Sequence, residues 1–246
     1  MTRVSDAMDQ ITSQPRGNGS RDRALNAEMI ARQALTLADE GGLEKLTVRS
    51  LANALGIGTM TFYGYFRSKE EILDAMADEA LGSLQLPEGP PDESPRQAIE
   101  SVASAFRGLM RDHPSIAQIL SSRVTTSQRA RRGAMEVVID RLMRSGIPGP
   151  LAVKSYGFLM IYALGFAGYQ AVRPWGSDGA PADEVDESEL RRQQRHYYAA
   201  LPRAEFPRLV ELRDELIELP GEEQFRFGVS CLCDIVEATL DISSPS

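Results

Sequence analysis

The chain contains little of the chemistry on which disulfide-bonded or zinc-binding proteins rely. Its 246 residues include two cysteines, two histidines and one tryptophan. Cys231 and Cys233 lie two positions apart, so on a helix their side chains point to different faces and a bridge would strain the backbone. Two thiols alone do not complete a zinc site. We expect two small core residues in a reducing compartment.

Recognisable catalytic motifs are also missing. His113 and His196 do not form an H-E-x-x-H pair, and there is neither a P-loop nor a G-x-G-x-x-G fingerprint after a strand. The carboxylates between positions 183 and 189 form a charge run rather than a pair set against an apolar wall. We expect no enzyme, no cofactor and no metal site.

Long hydrophobic runs are scarce. Residues 155–172 carry no charge over 18 positions, the lower bound for a membrane-spanning helix. The stretch holds three glycines and three tyrosines, so a buried or interface helix is the better interpretation and no membrane partner is expected. The sequence does not begin with a basic-then-apolar leader, and we expect a cytoplasmic protein.

The charge is distributed unevenly along the chain. The net charge is −8, which argues against a protein that coats nucleic acid indiscriminately. The segment from Arg16 to Lys69 nevertheless has a net charge of +3, and the remainder has −11. A basic head on an acidic body would dock on DNA head-first. An ordinary charged surface on a three-helix bundle is the alternative.

Apolar residues recur at helical spacing almost throughout, with no alternating strand pattern and no internal repeat. This predicts an all-α fold. Residues 1–20 are polar and predict a flexible tail. Residues 21–68 predict a three-helix head, residues 69–86 a connecting helix and residues 95–246 a helical body, with a proline-rich boundary before the body.

Within the head, residues 47–69 are typical of a helix-turn-helix. Thr47 is a predicted N-cap, Gly56-Ile57-Gly58 is a tight break, and Ser68 with Glu71 forms a capping box that opens the next helix. The helix after the break, predicted over Thr59 to Tyr65, has two faces.

The inward face of that helix is predicted to hold Phe62, Tyr65 and Phe66, with Thr59 and Thr61 at the edges. The opposite arc is predicted to hold Met60, Tyr63, Gly64 and Arg67. A methionine can touch a thymine methyl group, and hydroxyls can reach phosphates or base edges. The pattern therefore favours a helix that enters the major groove of DNA.

Residues 46–73, LTVRSLANALGIGTMTFYGYFRSKEEIL, resemble the DNA-binding head of the TetR family. The shared elements are a threonine-started helix, Leu-Ala, a Leu-Gly-Ile turn, then Thr, an apolar residue and Tyr before a Phe-Arg-Ser-Lys run. The likeness extends over roughly residues 24–75. The remaining two thirds resemble the family only in helical layout.

The resemblance implies roles for individual residues. Val48 and Arg49 would approach DNA from the first motif helix, and Thr59, Met60 and Thr61 would form the front of the recognition helix. Tyr63 would contact backbone or base, and Lys69 would hold a phosphate. Gly64 departs from the pattern, because a larger side chain is common there, and this leaves the operator preference open.

The resemblance also implies a C-terminal body that dimerises and encloses a small-molecule pocket. The predicted dimer residues are Tyr162, Gly165, Tyr169, Val229, Leu232 and Val236. Phe227, Cys231 and Ile235 lie off the stripe predicted for the last helix. Complete burial of these helices within one protomer is the alternative.

An effector pocket is predicted between the connecting helix and the body. Its candidate lining is Phe106, Met110, His113, Met135, Ile139, Tyr156 and Met160. Methionine and aromatic side chains suit an apolar ligand, although each can equally fill the core. The acidic loop around Trp175 would either cover the pocket or remain solvated.

Together these features predict a homodimeric transcriptional regulator. It would be a repressor that a small, largely apolar effector releases from a palindromic DNA operator. An activator of the same build is one alternative. A helical enzyme or lipid carrier with a purely structural head is the other.

Overall fold

The described chain is built of helices joined by short connections. The computed structural model describes residues 25–123, 127–171, 187–219 and 221–243, and no strand occurs among them. This confirms the predicted all-α fold. The tail predicted over residues 1–20 and the loop predicted around Trp175 lie outside the described residues.

Three short helices form the head. They are α1 (Ala27–Gly41), α2 (Val48–Leu55) and α3 (Thr59–Tyr63). Asn26 caps α1, because its Oδ1 accepts a hydrogen bond of 2.8 Å from the Met29 N–H. The predicted apolar stripe of α1 is buried at Ile30, Ala31, Ala34, Leu35 and Ala38.

Reciprocal capping and one left-handed glycine fix the turn between α2 and α3. The N–H of Ser50 donates to Thr47 Oγ1, and the N–H of Thr47 donates to Ser50 Oγ, both at 3.0 Å, which confirms the predicted start of α2. Gly56 follows α2 with a φ of 66°. The Ile57 N–H donates to the Ala52 carbonyl at 3.0 Å, the long bond of a Schellman motif.

The third helix is shorter than predicted, ending at Tyr63 rather than Tyr65. The Gly64 N–H donates to the Thr61 carbonyl at 3.1 Å, and the Tyr65 N–H to the Phe62 carbonyl at 2.9 Å, so the last turn tightens. The prediction that Tyr65 lies in the core is also wrong. Its side chain is exposed and its hydroxyl donates to the Leu25 carbonyl at 2.9 Å, because a phenol keeps its polar tip near a partner.

The connecting helix α4 spans Lys69–Gly82. Ser68 Oγ accepts from the Glu71 N–H at 3.2 Å, and the Glu71 carboxylate reaches back to the Arg67 N–H at 2.7 Å. The helix ends four residues before the predicted boundary at 86. The Ser83 hydroxyl donates to the Ala80 carbonyl at 2.9 Å and so satisfies a terminal group that a further turn would have used.

The C-terminal end of α4 packs so closely against a π-helical turn that the two backbones are in contact. This turn, Arg131–Glu136, lies between α7 (Gln128–Ala130) and α8 (Val137–Arg144). A Cβ placed on Gly133 would lie 2.8 Å from the Gly82 Cα and 2.9 Å from the Leu81 carbonyl oxygen. Only glycine at position 133 lets the two segments approach this closely.

The remaining helices form the body. They are α5 (Pro95–Asp112), α6 (Pro114–Ser122), α9 (Gly149–Ala171), α10 (Glu187–Ala199), α11 (Pro207–Glu211), α12 (Arg213–Ile217) and α13 (Glu222–Ser243). Helix α9 packs against α5, α6, α8 and α13. A single apolar core runs from the head through α4 into these helices.

The proline-rich connection between α4 and α5 is tied to the body. Arg141 of α8 makes a two-pronged contact with the Glu93 carboxylate, at 3.0 and 2.5 Å, and also donates to the Pro87 carbonyl. Both charged side chains are almost fully buried. The ion pair therefore holds a segment that prolines prevent from forming a helix.

Helix α9 is, within the described residues, the one helix long and apolar enough to cross a membrane by length and composition. Ala152, Leu159 and Ala163 on this helix are buried in the core of the body. The structure thus uses the uncharged stretch as a body helix, as the sequence predicted.

We expect Gly56→Ala to lower the free energy of unfolding by about 1 kcal/mol, because alanine disfavours a positive φ. No atom lies within 4 Å of the added Cβ, so crowding would not contribute. Gly108→Ala in α5 is the matched control, since its Cβ also meets open space but in helical backbone. The control should stabilise by roughly 0.5–1 kcal/mol in urea titrations. Equal changes in the free energy of unfolding for both variants would contradict the role assigned to the positive φ of Gly56.

Candidate nucleic-acid interface

Helix α3 buries one face and exposes the other, as predicted. Phe62 is fully buried and Phe66 nearly so, with their ring centroids 5.9 Å apart. Met60 is 83% exposed and Tyr63 51% exposed. Because helix propensity alone does not hold five residues in shape, the buried rings must orient the outward side chains.

The other predicted recognition residues also lie at the surface. Thr59, Thr61 and Gly64 are exposed, and the Gly58 N-cap has no side-chain hydrogen bond. The first backbone N–H groups of α3 therefore receive no side-chain cap, and the exposed hydroxyls of Thr59 and Thr61 lie on the same turn. Such groups donate to phosphate oxygens or base edges.

The two candidate DNA-binding residues at the start of α2 differ in exposure. Arg49 is exposed, whereas Val48 is partly buried and packs against the core. Val48 therefore offers only part of its side chain to a partner. Arg49 is the residue of this pair whose charge is available to a phosphate.

Lys69 occupies the first position of α4 and is also exposed. Its Nζ donates to the Leu43 carbonyl at 3.2 Å, in the connection between α1 and α2. The ammonium group has two further N–H donors, so this contact positions Lys69 and leaves donors for a phosphate. Together α2, α3 and Lys69 form a surface of apolar, hydroxyl and cationic groups without a buried catalytic pair.

Two family descriptions match the chain. Bacterial regulatory proteins of the tetR family match residues 30–76, and the Tetracyclin repressor-like C-terminal domain matches residues 86–240. The chain belongs to the TetR family. It is a DNA-binding transcriptional regulator, and the family resemblance drawn from the head is confirmed.

Named relatives match over most of this regulator. The HTH-type transcriptional repressor DrrR1 of Streptomyces coeruleorubidus is 28% identical over 214 residues, covering 87% of this chain and 77% of its own. The HTH-type transcriptional repressor Rv1353c of Mycobacterium tuberculosis (strain ATCC 25618 / H37Rv) is 26% identical over 237 residues, covering 92% and 87%.

Solved structures share the fold. ActR of Streptomyces coelicolor in complex with actinorhodin has a TM-score of 0.72 at 24% identity, covering 88% of this chain and 97% of its own. SCO7222 from the same organism has a TM-score of 0.65 at 25% identity, covering 87% and 98%. At such identity these likenesses establish the shape of the TetR fold for this chain and no binding specificity.

A polar cluster joins the TetR head to the body. Asp39 near the end of α1 accepts from the Ser115 N–H at 3.1 Å and from the Ser115 hydroxyl at 2.6 Å. Its other oxygen lies 2.8 Å from Nδ1 of His113, the residue between α5 and α6. The head carboxylate thus caps the first turn of a body helix. Sequence reasoning missed this cluster, because nothing local links position 39 to position 113.

A second charged cluster surrounds α4. Glu79 is almost fully buried and lies 2.7 Å from an Arg32 nitrogen of the head and 3.0 Å from an Arg129 nitrogen of the body. Arg129 also pairs with Glu28 of α1 at 2.6 Å. The hydrogen bond to Glu79 raises the pKa of Arg32 above its ordinary value. One buried carboxylate therefore links three parts of the regulator.

The structure corrects the predicted dimer residues. Val229, Leu232 and Val236 are buried in the protomer's own core, so they are not available to a second copy. The exposed apolar side chains of α13 are instead Phe227, Ile235 and Ile242. Both faces of α13 are apolar, and periodicity alone does not tell which one turns inward.

On α9 the predicted dimer residues are divided. Gly165 and Tyr169 are exposed. Tyr162 is half-buried, stacks on Phe225 with centroids 5.2 Å apart and donates its hydroxyl to the Gln224 carbonyl at 2.8 Å. Tyr162 thus packs within its own protomer, whereas the other two remain at the surface.

The predicted pocket residues are spread through the body. Phe106 and Met110 are fully buried, and Phe106 meets Tyr156 edge to face at 6.1 Å. Met135 is exposed, contrary to an enclosed lining, because Ala134 and Val138 take the inward positions. The remaining members, Ile139, Tyr156 and Met160, are partly buried against the core. His113 borders a groove along α5.

The two cysteines are free thiols. Burial raises the pKa of Cys233 to about 11, so it is protonated and unreactive at neutral pH. No group of three metal-ligating side chains occurs in the described part of the chain.

We expect Met60→Ala and Tyr63→Phe to change sequence preference without unfolding the head. Exposed positions alter the free energy of unfolding by less than about 0.5 kcal/mol, whereas a lost base contact costs about 1–3 kcal/mol of discrimination. Phe62→Ala is the contrasting variant and should destabilise by about 3–5 kcal/mol. Binding to a randomised operator library and thermal unfolding are the two measurements. An unchanged base preference in both outward variants would contradict the interface.

We expect Lys69→Ala to weaken binding to all DNA sequences alike. Losing one phosphate contact lowers the slope of log K against log salt by about one unit. Arg203→Ala is the charge-matched control, because Arg203 is exposed and lies between α10 and α11, outside the head. Fluorescence anisotropy at several salt concentrations provides both slopes, and identical slopes for the two variants would refute the assignment.

Proposed function

We propose that this regulator is a cytoplasmic homodimeric repressor that a small, largely apolar effector releases from a palindromic operator. DrrR1 and Rv1353c, its named relatives, are both called repressors, which supports this direction of control. The observation that carries the proposal is the pair of exposed apolar faces on α9 and α13.

The face on α9 follows helical spacing. Its members are Phe158, Ile161, Gly165 and Tyr169, each separated by three or four residues and exposed. The face on α13 comprises Phe227, Ile235 and Ile242, with the half-buried Cys231 between them. Soluble monomers rarely expose large contiguous apolar patches. Pairing two such helices with their copies forms a four-helix interface around a twofold axis.

A twofold axis determines what the heads can read. Each copy presents one α3, so the dimer presents two related helices to DNA. These fit half-sites about one turn, roughly 34 Å, apart. The operator is therefore an inverted repeat.

The effector acts through the contacts between head and body. Asp39 connects α1 to the first turn of α6, and Glu79 connects Arg32 to Arg129. An effector that binds better when the two heads are wrongly spaced weakens operator binding. Such coupling is typically about 1–3 kcal/mol. The relatedness of the fold to ActR, which was solved with actinorhodin, supports a body that accommodates a small molecule.

We expect Ile161→Glu and Phe227→Glu to produce monomers, because each places a charge in the proposed interface. Wild-type protein should sediment as a dimer and select an inverted repeat from random DNA. Each variant should sediment as a monomer and bind that repeat at least roughly tenfold more weakly, since only one half-site is then held.

The matched control is Met143→Glu, which adds the same charge at an exposed apolar site of α8 outside both faces. It should remain dimeric and bind normally. A wild-type monomer, or variants that remain dimeric, would overturn the assignment of the interface. Increased rather than reduced transcription from a promoter bearing the repeat would overturn repression.

A further inference from the structure

Met60 at the front of α3 is the most exposed methionine in the described ranges, at 83%. Met143 and Met135 of the body follow at 50% and 42%, whereas Met76 and Met110 are buried. We propose that Met60 is a modification site, at which a peroxide forms methionine sulfoxide and thereby weakens binding to the operator. The inference rests on the proposed function, since it requires that α3 contacts DNA in the repressed state.

The next turn of the chain leaves the Met60 side chain uncovered. Gly64, four residues on and still in helical conformation with a φ of −70°, has no side chain that could lie over it. A Cβ placed on Gly64 would meet no atom of Met60 within 4 Å, so the methionine does not pack over that position. A dissolved peroxide therefore reaches the Met60 sulfur directly, and exposure favours its oxidation.

The reaction requires a peroxide and no further reactant. The Met60 sulfur donates an electron pair to one oxygen of hydrogen peroxide, and an S–O bond forms as the O–O bond breaks. The departing hydroxide takes the proton from the transferred oxygen, so the products are the sulfoxide and water. The thioether is oxidised, the peroxide is reduced, and methionine sulfoxide reductases reverse the change.

The sulfoxide alters what Met60 can contact on DNA. A thioether methyl group packs well against a thymine methyl group, whereas the sulfoxide carries a strongly polar oxygen. That oxygen would have to lose its water against an apolar partner, which disfavours the contact. Because a dimer presents α3 twice, oxidation affects both half-sites. We expect operator affinity to fall roughly tenfold or more.

The same position protects the fold from the modification. Phe62 anchors α3 from its buried side, and Met60 contributes no buried surface of comparable extent. A sulfoxide at Met76 or Met110 would instead place a polar group in the core and destabilise the protein. Oxidation at Met60 therefore changes DNA binding while the head remains folded.

Neither cysteine offers the head a group that peroxide could modify. Both lie on α13 of the body, and Cys231 is half-buried there. Cys233 is fully buried, and burial raises its pKa to about 11, so the reactive thiolate is scarce at neutral pH. A peroxide response located at the DNA-facing surface thus falls to Met60.

Operator affinity of the full-length protein is measured by anisotropy before and after treatment with hydrogen peroxide, which catalase then removes. Wild type should lose affinity roughly tenfold or more. Met60→Leu retains every other methionine and should have the same affinity before and after treatment, because leucine has no sulfur. Met143→Leu is the matched control at an exposed methionine of the body and should lose affinity as wild type does. Methionine sulfoxide reductase should restore wild type, whereas dithiothreitol should not.

Met60→Gln tests the same chemistry without an oxidant. Its amide is polar and its side chain is similar in length, so it should bind the operator roughly tenfold more weakly than Met60→Leu. Thermal unfolding of the two variants should agree, because position 60 is exposed. Peptide mass spectrometry of treated wild type should show an added oxygen atom at Met60 before Met143 or Met135.

Three outcomes would overturn the inference in distinguishable ways. Loss of affinity in treated Met60→Leu, or oxidation of Met143 before Met60, would overturn the site. Complete oxidation of Met60 with unchanged operator affinity would leave repression intact and overturn the effect on DNA binding. Untreated wild type that selects no inverted repeat would overturn the proposed function and this inference with it.

Discussion

The burial of Phe62 determines where the proposed DNA-reading surface lies. Helix α3 has five residues, which is too short to be stable in isolation. It keeps its position because Phe62 and Phe66 insert into the core formed with α1 and α2. The same insertion leaves Met60 and Tyr63 facing outward, so the proposed base contacts and the stabilising contacts lie on opposite sides of one turn. The left-handed Gly56 sets the angle at which the chain enters that turn.

Polar side chains connect the helices of the head with those of the body. Asp39 caps the first turn of α6, while Glu79 lies between Arg32 and Arg129. Buried ion pairs add little net stability, but losing one partner is expensive. Such contacts therefore define a small number of allowed head positions more than they strengthen the fold. The proposed mechanism, in which an effector selects between two head spacings, requires this property.

Short-range sequence patterns were sufficient to predict most of the structure of the head but not the packing of the body. Capping at Thr47, the break at Gly56 and the two faces of α3 all follow from short-range spacing, and the structure confirms them. Tyr65 was misplaced because its polar hydroxyl, which bonds to Leu25, outweighs its place on the helical stripe. On α13, Val229 and Phe227 are both apolar, so the inward face depends on packing against α5 and α9. The Asp39 cluster joins residues far apart in sequence, which no periodicity can reveal.

The glycine crossing between α4 and the π-helical turn restricts how the two parts of this protein can be recombined. Because Gly133 lies against the backbone of Leu81 and Gly82, backbone contacts backbone at this point of the seam. A chimera that grafts a foreign head onto this body therefore keeps its geometry only if the joint falls before Leu81. A joint placed after Leu81 would replace residues whose backbone packs against Gly133. A donor helix that placed any side chain against Gly133 would be pushed away from the π-helical turn. The natural unit of exchange is thus the head together with most of its connecting helix.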